Sequence, residues 1–430
     1  MAVPSLQSAP ARLLVSGLAC ASFACSACSA EEGRTRALEA VVRDSAGIEI
    51  VESPTPLWEE GEGWRVDSVP TLQIGLLEGA DPYLFGAIAA AVRFPDGRIA
   101  LVETQSLEVR VFGPDGVHLA TFGREGGGPG EFATTPRIVA VAPDTLLTWD
   151  ARSRRWSWWH LEGALVREST LPRGGRDEDV GRGTAVTTWA VFPDGTLFAA
   201  DNVPRDDETR PSGETITTQF RFSFIRNQGA DTVDIGRFGS RRTHFAVRGS
   251  AQDPFFPRTQ IALQSDPVAL HTSGPGAWAV YRWEADGNLS RIVRAAIPRV
   301  AVTEEMIRQH IDSVEAQRMR SRASEEQVEI RVRATEAVPY PDSAAAIDFL
   351  RIDTESRLWV LRWRQLYPVD APVYDVIDGD GRWLGRVALP ETLGNVLEIG
   401  GEYVLAEWKD ELDVSYLRMY PIVEGGGDEG

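Results

Sequence analysis

The sequence predicts an all-β fold: a six-bladed β-propeller, closed by an N-terminal strand that completes the last blade, with a helical insertion between blades four and five. Three observations predict it. Residues 85–132 alternate short apolar runs with two Pro-Asp-Gly turns and end in a glycine-rich connection. Weaker copies of that unit recur to the C-terminus. A spare strand at the start and a three-stranded unit at the end would complete each other. A single four-stranded meander cannot cover both its faces, whereas copies packed radially around an axis cover one another.

Residues 1–30 stand apart. Arg12 is the only charge before Glu31, and 13–30 is apolar and small, too short and weak for a membrane span. This is the pattern of a secretory signal peptide. Cys20, Cys25 and Cys28 all lie inside it, so the body of the chain has no thiol and no disulfide. Cysteines after small residues at the end of an apolar run resemble a bacterial lipoprotein signal, which implies lipidation at Cys28 or Cys25. Neither cysteine has the leucine three residues before it that the pattern prefers. Plain secretion and an uncleaved anchor are the other readings of this segment. Residues 31–63 then read as a tether with a hairpin about Asp44-Ser45-Ala46-Gly47. Residues 64–74 read as a lone strand, and Pro70 places it at a sheet edge.

The propeller is expected over 64–420, with a disordered tail at 421–430. In blade one, 88–94 is a mostly apolar strand and Pro95-Asp96-Gly97 turns the chain. Proline presets φ there, aspartate tolerates the turn, and glycine supplies φ > 0. Residues 98–103 return, 108–112 alternate with Val109 and Val111 on one face, and 118–122 follow a second Pro-Asp-Gly. Blade two starts at 136–141; its 153–163 aligns without gaps to 106–116. Blade three starts near Thr187, repeats Phe-Pro-Asp-Gly at 192–195, carries a polar insert at 203–214 and has its third strand and turn at 220–229. Blade four starts at 257–263 and has its outer turn in 281–287. Blade five starts near Ala346, with Asp378-Gly379-Asp380-Gly381 as its outer turn. Blade six offers only 396–399, 402–408 and 414–420. A seventh blade would have to hide between blades three and four.

One stretch breaks the β pattern. Residues 303–335 are charged and helical in period, with Met306, Ile307, Ile311 and Val314 as a narrow apolar stripe. Thr303 suits an N-cap, and Ser324-Glu325-Glu326-Gln327 has the capping-box pattern of a second helix. A connection of this class lies on one rim, over or beside the central opening.

Gly127-Gly128-Pro129-Gly130-Glu131-Phe132, an inner strand, Pro-Asp-Gly and then Val109-Arg110-Val111-Phe112-Gly113-Pro114-Asp115-Gly116 resemble NHL-type repeats and secreted six-bladed propellers of the TolB-like group. The resemblance is clearest in blade one and covers roughly residues 64–420. It implies a scaffold used mostly for binding. Some relatives are metal-dependent lactonases, lyases or other hydrolases that hold a calcium-like ion at the axis. A scaffold does not name its function.

Charge narrows the partners. A formal net charge of -19 leaves no basic patch to displace counterions from phosphates, so no nucleic-acid partner is expected. It also opposes docking on anionic lipid, so contact with the membrane is expected through an N-terminal lipid alone. The loop 123–130 is glycine-rich but lacks Gly-Lys-Ser/Thr and reads as a connection between blades, not a phosphate loop. His118, His160, His244, His271 and His310 lack the spacing of metal ligands, and there is no Gly-x-Ser-x-Gly elbow. Trp156, Trp158 and Trp159 with His160 suit packing better than a ligand wall, because Trp156 and Trp158 align with Val109 and Val111.

The polar exceptions on the apolar inner strands are Arg137, Arg258, Gln260, Asp348 and Glu398, which makes them the candidate ligand-binding residues of the channel mouth. A hard cation needs about six oxygen ligands. Two acids accompanied by arginines suit a carboxylate or phosphate better. No cofactor is expected, with a calcium-like ion in the channel as the alternative. The expected function is an exported, lipid-anchored binding scaffold at the cell envelope, in the periplasm or at the outer membrane, for a protein or a small polar or anionic ligand. Catalysis is not the expected role. The alternative is a periplasmic metal-dependent hydrolase, lactonase or lyase with its site in the channel. A structural envelope protein without a ligand is a third reading.

Overall fold

The computed structural model describes residues 40–59, 61–170, 187–203, 212–226, 231–316, 324–363 and 371–425. The expected signal segment with Cys25 and Cys28 lies outside these residues, as does most of the polar insert of blade three. The described chain is mostly β, with two α-helices among the described residues, and its strands group into six sheets.

β1 (Val41–Ser45), β2 (Ile48–Ser53), β3 (Trp64–Val66) and β4 (Leu72–Ile74) precede the first repeat. Sheet one is β5 (Ile88–Arg93), β6 (Ile99–Glu103), β7 (Glu108–Phe112) and β8 (His118–Phe122), a meander close to the expected unit. Sheet two is β9 (Arg137–Ala142), β10 (Thr145–Asp150), β11 (Arg155–His160) and β12 (Leu165–Thr170). Sheet three is β13 (Thr187–Val191), β14 (Leu197–Asn202), β15 (Thr215–Arg226), β16 (Asp231–Phe245) and β17 (Ser250–Gln252). Sheet four contains β18 (Ile261–Ser265), β19 (Val268–Ser273), β20 (Ala279–Glu284) and β21 (Leu289–Ala295). The helices α1 (Glu304–Ala316) and α2 (Glu325–Glu336) follow. Sheet five is β22 (Ile347–Ile352), β23 (Leu358–Arg362), β24 (Val373–Ile377) and β25 (Trp383–Ala388). Sheet six joins β26 (Asn395–Ile399), β27 (Tyr403–Lys409) and β28 (Ser415–Glu424) to β3 and β4.

Small devices repeat from sheet to sheet. At the turns, Asp96, Asp115 and Asp194 each accept, through Oδ1, the backbone N–H two residues on, an Asx turn that fixes the hairpin. Near the end of the second strand a carboxylate holds the incoming loop. Glu103 accepts Gly86 N at 3.0 Å, Asp150 accepts Ala133 N at 2.6 Å, and Glu407 accepts Ile88 N of the neighbouring sheet at 2.9 Å. In sheets one, three, five and six the inner strand slips register by one residue near its start, past Ala89, Trp189, Asp348 and Leu397. Such bulges bend a strand and re-aim the side chain.

The core lies between sheets. Val102, Val109 and Phe122 of sheet one pack with Ile138, Leu146 and Trp159 of sheet two. Trp149 and Trp156 of sheet two meet Val191 and Leu197 of sheet three. Further clusters join sheets three and four through Phe198 and Leu270, four and five through Val280 and Val360, and five and six through Trp359 and Val404. Leu405 and Leu417 of sheet six pack with Ile88 and Leu101 of sheet one.

Four expectations are corrected, and one, the N-terminal hairpin, gains a further partner. The stretch 64–74 is two short strands, both antiparallel to β28, because the chain steps aside where Asp67 Oδ1 accepts Val69 N and Pro70 has no N–H to give. The N-terminal hairpin forms about its expected turn, and β2 also runs parallel along β21, with Val51 fully buried and Arg291 on Glu49. Pro421, expected in the tail, continues β28 with Ile422 and Val423 opposite Val66 and Arg65. Sheet three is built around the long β15–β16 hairpin, whose first strand starts at Thr215 rather than at Phe220. The inner strand of sheet four starts at Ile261, so Arg258 and Gln260 precede it; Thr259 N is tied to Gly239 O at 2.7 Å and holds the segment out.

The helices form close to the expected residues. Ser324 and Gln327 make the reciprocal capping box, and Thr303 Oγ1 accepts Met306 N at 3.2 Å. Met306 and Ile307 of α1 pack near Phe255 and Trp363, and α2 reaches the approach to β17, where Ile330 lies against Gly249.

Candidate functional site

Arg137 opens the inner strand of sheet two. It stands directly across from Trp149, which in turn pairs with Trp156 on β11. Cross-strand partners share a face, so Arg137, Trp149 and Trp156 form one row. Val139, Leu147 and Trp158 form the next. This face meets Val191 and Leu197 of sheet three. Arg137 is exposed, yet the protein around it lowers the pKa of its guanidinium. Among the described residues neither Arg137 nor Arg258 has a carboxylate or other side-chain acceptor.

Arg258 is exposed on the approach to sheet four, where its backbone N–H donates to Phe256 O. Gln260 is half-buried there. Its N–H donates to Ser273 Oγ at 2.8 Å, and Ser273 N donates back to Gln260 O at 2.9 Å. Asp348 is the half-buried bulge residue of β22, and it is not without an interaction partner. Glu398 on β26 accepts Tyr403 Oη at 2.7 Å and Arg93 N at 2.9 Å, through the same oxygen. The Arg93 guanidinium lies over the Tyr403 ring at 4.9 Å. Burial pushes the Glu398 carboxyl up to about 7, against the Tyr403 hydroxyl, the Arg93 N–H and the Arg93 charge. Glu398 therefore belongs to the seam between sheets six and one. The five candidates divide into two cations without side-chain acceptors and two acidic residues that already have partners, with Gln260 used in the backbone.

Three other sequence features find their places. In the loop 123–130, Glu131 accepts Gly128 N at 2.7 Å and pairs with Arg124, while Arg155 donates to the Gly127 and Gly128 carbonyls. The loop wraps its own carboxylate, as a connection would. Trp159 faces sheet one, stacks on Phe122 at 4.7 Å and donates its Nε1–H to Thr148 Oγ1. Trp156 faces the other way, and its Nε1–H, like that of Trp149, is buried without an acceptor. Among the histidines, His271 is buried against Gln264 and its pKa falls to about 3. Among the described residues no group of three His, Cys, Asp or Glu is placed to hold a metal.

A further polar cluster lies by the helices. The Asp253 side chain is fully buried, with Oδ1 accepting Phe255 N at 3.0 Å and Oδ2 at 3.6 Å from Arg242. Burial raises its pKa. Tyr340 donates to Thr335 O at 2.9 Å, and burial followed by the Asp253 charge raises its pKa too. Burial lowers the pKa of His310, whose Nδ1 has no partner. These residues lie far apart in sequence and carry no spacing signal. Trp149 and Arg93 were missed for the same reason: their roles come from cross-strand and inter-sheet neighbours.

No protein-family model and no curated protein matches the chain. Solved structures align over most of it. A member of the DUF4221 family from Bacteroides vulgatus shares 9% identity over 85% of this chain and 100% of that one, with a TM-score of 0.45. Virginiamycin B lyase from Staphylococcus aureus shares 10% over 84% and 100%, with a TM-score of 0.37. The gluconolactonase XC5397 from Xanthomonas campestris shares 14% over 79% and 88%, with a TM-score of 0.35. Identities of this size carry no activity across.

Proposed function

We propose that the six sheets are the blades of a closed six-bladed propeller of the NHL or TolB-like type, and that it is an exported scaffold binding a small anionic ligand. Closure is supported by the pairing of β3 and β4 with β28, and by the apolar cluster between sheets six and one. The observation that carries the function is an asymmetry among the candidates. Arg137 and Arg258 have no protein acceptor among the described residues, while Asp348 and Glu398 are engaged. A site left with donors takes acceptors, and guanidinium groups suit carboxylate or phosphate.

Calorimetric titration with inorganic phosphate and with simple carboxylates tests this. Arg137→Gln with Arg258→Gln should weaken the best-bound anion about tenfold or more, the loss of roughly one charge-assisted hydrogen bond. Unchanged affinity would count against the reading. The N-terminal segment is proposed to direct export, with a lipid on Cys28 or Cys25 as the only membrane contact. No helix among the described residues is long and apolar enough to cross a membrane. Palmitate labelling of cells expressing the full chain should disappear in the Cys25→Ser, Cys28→Ser double variant; retained label would contradict it.

A further inference from the structure

Beside Arg137 lies a cavity of ≈ 180 Å³ between the inner parts of sheets two and three. Arg137, Val139, Leu147, Trp149, Ala190 and Val191 line it. Its walls are apolar. Its one charged lining residue is Arg137, whose guanidinium has no acceptor among the described residues, and Trp149 of the same lining carries a buried Nε1–H without an acceptor. A second unpaired indole donor, Trp156, stands one strand further out, its ring 5.7 Å from that of Trp149. Buried indole N–H groups ordinarily find an acceptor. An apolar cavity of ~150 Å³ accommodates a benzene ring.

We infer that this cavity is a binding site for a small carboxylate with an apolar body, an aryl or branched-alkyl acid, whose carboxylate meets Arg137 while its body fills the space between Val139, Leu147 and Ala190. The inference rests on the reading that Arg137 serves an anion. It adds where the ligand lies and what its uncharged part must be. An apolar body makes use of the walls, which acetate or phosphate would leave empty. A neutral molecule of the same shape would leave the guanidinium unmatched. Discrimination should therefore need both halves of the ligand.

The test is calorimetric titration of the purified protein with benzoate, acetate and benzyl alcohol. Benzoate is expected to bind best. Arg137→Met should weaken benzoate about tenfold or more and leave benzyl alcohol unchanged. Val139→Phe, which fills the cavity, should weaken both. Arg137→Met changes an exposed side chain, so it remains informative if Val139→Phe fails to fold. Acetate binding as tightly as benzoate, or benzoate unaffected by Arg137→Met, would overturn the site. Benzoate binding lost in Arg258→Gln but kept in Arg137→Met would overturn the cavity and leave the anion-binding mouth standing. Absence of binding by every anion, phosphate included, would remove both.

Discussion

Glu398 shows how one side chain can be read and misread. Its place on an apolar inner strand marked it from sequence as a polar exception. The partners that decide its role, Arg93 and Tyr403, belong to another sheet and another strand, and no sequence spacing foretells them. Its folded pKa is raised to about 7 by burial. The folded state then holds this proton more tightly than the unfolded chain. The stability this gives is fully present below the unfolded carboxyl range and is lost as pH rises through about 7. Glu398→Gln should flatten that loss and leave the protein more stable than wild type at pH values above it, by on the order of 2–3 kcal/mol. Denaturant titrations across pH check it; an unchanged pH slope would contradict it. A second residue-scale prediction concerns the buried pair in sheet five. Arg362 grips Asp375 with two bonds of 2.6 Å, and the Asp375 side chain is 1% exposed. Arg362→Met strands that carboxylate and should cost about 3–5 kcal/mol. Adding Asp375→Leu should recover most of the loss, as measured by chemical unfolding.

At the scale of elements, turns were the most legible feature. Pro95-Asp96-Gly97 and Pro114-Asp115-Gly116 encode their own geometry, because the aspartate bonds its local backbone and the glycine takes φ of 91° and 79°. The strands between them could be read from alternation. The β2–β21 pairing could not: Val51 and Ile50 look like any short apolar run until β21 covers them. The long β15–β16 hairpin was obscured because its outer half is polar, so its periodicity fades where its pairing continues. Arg258 and Gln260 continue the apolar run of β18 in sequence, whereas the tie of Thr259 to Gly239 delays the strand until Ile261. Two predictions belong here. Ile74 is 2% exposed between sheets six and one. Ile74→Asp should cost about 3 kcal/mol or more, by burying an unpaired charge where β4 meets β28; a loss below about 1 kcal/mol would place little weight on β4. Gly123 has φ of 80°, and a Cβ there would lie 2.3 Å from the Phe132 ring. Gly123→Ala should lower stability by about 1–3 kcal/mol in thermal unfolding.

For the whole molecule, repetition made the architecture visible and hid the site. The Asp turn recurs in sheets one and three and the carboxylate latch in sheets one, two and six, so the copies announce a common fold. What distinguishes one seam from the next is the pairing of particular side chains across it. Arg137 was visible as a charged residue on an inner strand. The cavity beside it requires Leu147 and Trp149 from one sheet and Ala190 and Val191 from another, which only the packed arrangement brings together. The central claim is that this arrangement serves an anion rather than a bound metal. Thermal unfolding of one preparation in about 10 mM benzoate, in equal sodium chloride, and in chelator tests it most directly. A ligand that binds only the folded state raises the midpoint by mass action. The account predicts a rise of about two degrees or more with benzoate over chloride, and no change with chelator. A midpoint that falls with chelator and ignores benzoate would contradict it.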